Sequence, residues 1–228
     1  MIYNRFATII LLSILAISFK AFGQYNDVTE LIKETQKAIK IADGGEVIFI
    51  WWTPTEYWEL SFKNDPYVTS SFVNKFMQIM ESYSIFAVHH GKMSPLGTIT
   101  SKSKEEITNK ISITLEDSTQ LYPLSENEIT EDIKNYIMFI KPLFSKVLGN
   151  IGDGTEFIVF NNRKSDNILY IDPKTRNSFS VNYDSLNFTW RLPLGSLLPN
   201  KFDPETKETF PGNYDFNPFT GNELIILE

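Results

Sequence analysis

The chain has 228 residues, with 21 Lys and Arg against 28 Asp and Glu, two His and no Cys. A formal charge of −7 argues against a nucleic-acid-binding surface as the main role, and the lack of Cys excludes disulfides, thiolate zinc sites, iron–sulfur clusters and cysteine nucleophiles. With 42% hydrophobic and 21% charged residues, the composition is that of a folded globular chain.

The first 23 residues have the layout of a secretory signal peptide. Arg5 gives a positive start, Phe6 to Phe19 is an uncharged apolar run, and Ala21 and Gly23 place small residues before a cut at Gln24. The run is shorter than the roughly 20 residues of a spanning helix, so stable membrane insertion after cleavage is not expected. No Cys follows the cut, so a lipid anchor is not expected either. The expected location is secreted or periplasmic. Residues 24–228 are then expected to form one compact domain, with a composition shift near 150 as its one place for subdivision.

In chain order, Asp27 with Glu30 reads as a helix start, and Val28, Leu31, Ile32, Ala38 and Ile39 continue at helical spacing to Gly44-Gly45. Glu46 to Trp52 reads as a buried strand. Asp65-Pro66 opens a second helix bearing Val68, Phe72, Phe76, Met80 and Tyr83, and Ile85 to His90 is again a strand. This strand, helix and strand suggest a βαβ unit with parallel strands. The opening at Val47 to Trp58 resembles that of thioredoxin-like folds; without the redox pair the resemblance implies fold alone.

Thr98 to Thr100 is a short strand and Ser103 to Glu106 a capping box. Ile111, Ile113 and Leu115 alternate as a half-buried strand that turns at Asp117-Ser118 and returns through Leu121-Tyr122. Ser125 with Glu128 marks the start of the longest helix, about 126–148, which contains Pro142 and stops at Gly149. From Thr155 on, Phe157 to Phe160, Ile168 to Ile171, Phe179 to Tyr183 and Leu186 to Leu192 all read as strands. The fold class is therefore α+β: a strand-helix-strand region, then mainly antiparallel β with hairpins, with the long helix packed on the sheet.

One turn recurs as Asp172-Pro173-Lys174-Thr175, Asp203-Pro204-Glu205-Thr206 and Asn217-Pro218-Phe219-Thr220. In each, an Asp or Asn side chain accepts from the backbone two residues on and Pro fixes φ, so three hairpins are expected. Arg176, Lys207 and Gly221 fall at the left-handed position that closes such a loop. The last two copies resemble the Cys-Pro-x-x-Gly knuckles of zinc ribbons, with Asp203 and Asn217 where cysteines stand. Every metal ligand of that pattern is replaced, so the resemblance implies a knuckle held by hydrogen bonds.

Few residues group into recognisable chemistry. His89 and His90 are neighbours on a strand and point to opposite faces, so they do not share a metal. Ser94 lacks the Gly-x-Ser-x-Gly elbow of a hydrolase, and Gly149, Gly152 and Gly154 follow a helix rather than opening one. Trp190 to Pro199 ends in an apolar, Pro-bounded lasso expected to cover a sheet edge or helix.

The densest stretch is Trp51 to Glu59, read as an aromatic-acid loop at the end of a buried strand, with three of the four Trp and the acids Glu56 and Glu59. Trp52, Tyr57, Trp58 and His90 are the candidate ligand-binding residues, because flat rings suit sugars or peptides. Glu56 and Glu59 are the candidate catalytic acids, although glycoside hydrolysis needs a second, opposed carboxylate. The first reading is an exported, non-catalytic binding module for a carbohydrate, a peptide or a protein partner. The second is an enzyme on extracellular glycan or another polymer, using Glu56 or Glu59 with a distant acid. Neither requires a cofactor or metal.

Overall fold

The structure is a computed structural model that describes residues 26–41, 45–63, 68–94, 96–165 and 168–226. The proposed leader, the Gly44 stop and the Asp65-Pro66 helix start lie outside the described residues. The fold is α+β, with six α-helices and fourteen strands in mostly antiparallel sheets among the described residues.

Helix α1 (Asn26–Thr35) buries Val28, Leu31, Ile32 and Thr35 on one stripe. It ends where the Thr35 hydroxyl donates back to the Leu31 carbonyl at 2.8 Å and accepts from the Trp51 indole at 3.1 Å. The helix expected to run on through Ala38 and Ile39 stops there: Gln36–Ile41 is strand β1, paired antiparallel with β2 (Glu46–Trp52). The heptad spacing of Leu31, Ile32, Ala38 and Ile39 is compatible with a helix, but an edge position beside the apolar β2 supplies a ladder of partners. Gly45 closes this pair at φ +64°, where a Cβ would lie 2.9 Å from the Met93 carbonyl oxygen.

Two helices, α2 (Thr55–Phe62) and α3 (Ser70–Met80), separate β2 from β3 (Tyr83–Met93). Because the chain makes two helical passes, it returns to the end of the sheet it left. Trp52, last in β2, therefore pairs with Phe86 near the start of β3, and the strands are antiparallel. The parallel βαβ unit and the thioredoxin-like opening are both corrected by this pairing. The far side of β3 is shared by β7 (Thr155–Asn161) and β4 (Ile99–Ser101), completing the first sheet.

Helix α4 (Lys104–Thr108) starts at the capping box read from Ser103 and Glu106. It leads into the second sheet, of order β11-β10-β5-β6: β5 is Ile111–Leu115, β6 Gln120–Leu121, β10 Asn177–Tyr183 and β11 Leu186–Leu192. The longest helix, α5 (Glu131–Leu148), begins later than expected. Ser125 and Glu128 do bond each other, Ser125 N to Glu128 Oε2 at 2.8 Å, but they close a separate turn. Gly149 ends α5, and α6 (Asn150–Asp153) follows directly. A Cβ on Gly152 would lie 2.1 Å from the Phe144 carbonyl oxygen, so this glycine answers a backbone contact.

The first sheet is the middle layer. On one face Trp51 and Phe157 meet Phe144 of α5, with ring centroids 5.4 and 5.0 Å apart. On the other, Trp52 and Phe86 meet Phe179 and Trp190 of the second sheet. Alternation along β2 and β3 sends odd and even residues to different layers, and burying each large ring contributes about 1.5–3 kcal/mol.

The chain finishes with β8 (Arg163–Ser165) paired to β9 (Ile168–Leu169), and a ribbon of β12 (Lys201–Phe202), β13 (Thr209–Phe210) and β14 (Ile225–Ile226). All three recurring turns form, each side-chain oxygen accepting from the N–H two residues on. Asp203 turns between paired strands, and Asn217 between the bridged Phe216 and Glu223. Asp172 instead links β9 to β10, which belong to different sheets, so the hairpin expected there is corrected. Lys207 and Gly221 take the expected left-handed φ, whereas Arg176 does not.

The last two turns face each other. Asn217 Nδ2 donates to Asp203 Oδ2 at 2.6 Å, and both residues are fully buried. Their backbones repeat one pattern: Asp203 N bonds Glu208 O, Lys207 N bonds Asp203 O, Asn217 N bonds Asn222 O and Gly221 N bonds Asn217 O. The Asp203 carboxylate stands at the centre of this knuckle pair.

Candidate functional site

The chain leaves β2 at Thr53, whose N–H and hydroxyl both reach the Ile85 carbonyl at 3.0 Å. Pro54 at the N-cap then starts α2, so the segment read as a loop is a two-turn helix. Spacing along that helix sorts its side chains. Glu56 and Glu59, three apart, share one edge, while Tyr57 and Trp58 turn the other way.

Tyr57 is buried, edge-on to Trp51 at 5.2 Å, and its hydroxyl pKa is pushed up to about 12 by burial, which the Ser61 hydrogen bond only partly opposes. Trp58 packs among Tyr57, Phe62, Phe76 and Tyr136, with centroids 4.7 to 6.2 Å away. These two rings join the packing between α2, α3 and α5.

The acid edge of α2 borders two adjoining clefts. The first, of about 330 Å³, is walled by Trp52, Glu56, Glu59, Glu81, Asn162 and Asp172, among others. The second, of about 780 Å³, adds Glu30, Phe62, Asn74, Ser196 and Leu198. Glu56, Glu59 and Lys174 line both. Trp52 is only 2% exposed and sits edge-on to Phe179 at 5.0 Å, so it offers a rim rather than a flat platform.

Lys174 projects from the Asp172 turn, and its Nζ lies 3.1 Å from Glu56 Oε1. Partial burial works against its charge, but Glu56, Glu59 and Asp172 outweigh that and raise its pKa above the usual lysine value. Asn162 holds the opposite wall. It is buried, donating to the Ile171 carbonyl at 3.0 Å and accepting from the Ile171 N–H at 2.9 Å.

His90 is not part of this site. It points between the two sheets, its Nδ1 2.8 Å from the Tyr183 hydroxyl and its Nε2 3.6 Å from Glu46, beyond hydrogen-bond range. His89 faces the helical layer, as strand alternation requires. Ser94 Oγ accepts from Thr98 N at 3.1 Å and closes a turn. The lasso packs over α1, where the Glu34 carboxylate accepts from Gly195 N at 2.8 Å and Ser196 N at 2.9 Å.

The structure thus brings together Glu56, Glu59 and Trp52, and sets Tyr57, Trp58 and His90 apart from them. Sequence reasoning missed Glu81, Asn162 and Lys174. Only Lys174 carried a signal, as the third residue of the recurring turn, where side chains project. Among the described residues, no group of three or more His, Asp and Glu is placed to hold a metal ion, and no helix is long and apolar enough to cross a membrane. No family model, curated protein or solved structure matches this chain.

Proposed function

We propose that the chain is an exported, non-catalytic binding module that takes a basic peptide segment along the acid edge of α2. The observation that carries this reading is that Glu56 and Glu59 border both clefts while Tyr57 and Trp58 face inward. Carboxylates in a groove favour cations, and rings turned away from it cannot stack on sugars. Arginine suits such a groove best, because its planar fork pairs with a carboxylate at two points.

The test is a calorimetric titration of residues 24–228 with N-acetyl-tetra-arginine and, in parallel, with chitohexaose. Binding of the peptide should weaken as salt rises and be lost in the Glu56→Gln, Glu59→Gln double variant. Binding of the sugar alone would overturn the reading. Export is tested separately by mass spectrometry of the native protein, which should begin at Gln24.

A second reading, a glycan hydrolase, draws on Glu81 and Asp172, which line the first cleft from other elements. Asp172 is committed to its turn, accepting from Lys174 N at 2.9 Å and the Thr175 hydroxyl at 2.7 Å, so Glu81 is left as the partner acid. Release of reducing ends from chitin or peptidoglycan, lost in Glu81→Gln, would favour this second reading.

A further inference from the structure

We propose that Lys174 is a built-in occupant of the acidic groove: its ammonium holds the place of a ligand arginine or lysine, and binding exchanges one cation for the other. This rests on the reading of the groove as a cation-binding site. It adds what keeps the site filled when no ligand is there and what a ligand must displace.

Three observations converge on it. The two clefts share Glu56, Glu59 and Lys174, so the Lys174 side chain lies at their junction and divides what is otherwise one groove. Glu56 is only 14% exposed in its side chain, whereas Lys174 is 51% exposed. A carboxylate that far from water is costly without a cation beside it, while a half-exposed lysine on a flexible stem is easily withdrawn.

The third observation is the anchoring of the turn. Lys174 N donates to Asp172 Oδ1 at 2.9 Å, Thr175 N to Asp172 O at 3.2 Å, and Leu194 N to Pro173 O at 2.8 Å. With Pro173 fixing φ as well, the backbone stays and only the side chain moves. Withdrawing that side chain opens the groove from the Asn162 wall to the lasso at Ser196. An extended peptide, longer than a single residue, fits such an opening.

The experiment compares wild type, Lys174→Met, Lys174→Arg and, as a matched loss of charge on the rim of the larger cleft, Lys63→Met. Each is titrated with N-acetyl-tetra-arginine at low salt. Lys174→Met should bind about fivefold tighter than wild type, the gain expected when an ion pair whose lysine is half exposed no longer competes. Lys63→Met should gain less, and Lys174→Arg should bind more weakly because its fork holds Glu56 harder.

In wild type, saturation with the peptide should also speed acetylation of Lys174, read by mass spectrometry, as the amine leaves Glu56. If wild type binds but Lys174→Met binds no better than Lys63→Met, the exchange is overturned and the cation-binding reading stands. If neither wild type nor Lys174→Met binds the peptide, both fall.

Discussion

His89 and His90 are adjacent in sequence yet meet different surroundings, because a strand sends neighbours to opposite faces. His89 is 1% exposed, and its ring lies where a Cβ on Gly91 would come within 2.4 Å of Nε2. Burial lowers its pKa, the backbone at Gly154 and Ile151 partly restores it, and the charge of His90 lowers it again. An unfolded histidine titrates near 6.5, so below about that pH the unfolded chain holds a proton that the folded chain refuses. This part of the stability is complete above the unfolded value and drains away as pH falls toward the folded one. The melting temperature should therefore drop between pH 7.5 and 5.5, and His89→Gln should flatten the drop. An unchanged slope in the variant would assign the effect to other groups.

At the scale of elements, the knuckle pair is held by one buried charge. Burial alone would raise the Asp203 pKa, but hydrogen bonds from Asn217, the N–H groups of Glu205 and Thr206, and Asn222 hold it well below the ordinary carboxylate range. Asp203→Ala should free the amides of β12, β13 and β14 to exchange with solvent while β2 and β3 stay protected, as hydrogen-exchange mass spectrometry would show. Equal loss in both regions would mean that the ribbon and the core unfold together. Trp58→Ala should cost about 3 kcal/mol by urea denaturation, since it removes a ring with four aromatic neighbours. The turn chemistry behind Asp203 and Asn217 was legible in the sequence because it is local: one side chain, one proline, one backbone N–H. So were β2, β10 and β11, whose apolar runs and strict alternation admit few alternatives. Helix α2 was not, because its aromatic and acidic residues crowd two turns and leave no clear stripe. Missing that one helix also turned an antiparallel pair into a parallel one. Strand β1 was misread for a different reason: its ladder partner lies in β2, and pairing overrides a helical pattern that local sequence equally allows.

For the molecule as a whole, Phe86 ties the layers together. It is fully buried in β3, 5.6 Å from Phe160 in its own sheet and 6.3 and 6.1 Å from Phe179 and Trp190 in the other. The site depends on the same arrangement. Its acids come from the helix that follows β2, its Asn162 wall from just beyond β7, and its lysine from the turn that carries the chain into the second sheet. No single sheet supplies all three, so the spacing of Glu56 from Lys174 is set by how the sheets stack. Phe86→Ala should cost about 3–5 kcal/mol and lower a single cooperative transition, with fluorescence and far-ultraviolet dichroism giving coincident curves. Two separated transitions would show that the sheets unfold independently and that their stacking adds little. The groove should respond as well: with the stacking loosened, affinity for N-acetyl-tetra-arginine should fall even under conditions where the variant remains folded, because the acids of α2 and the Asn162 wall are no longer held at one spacing.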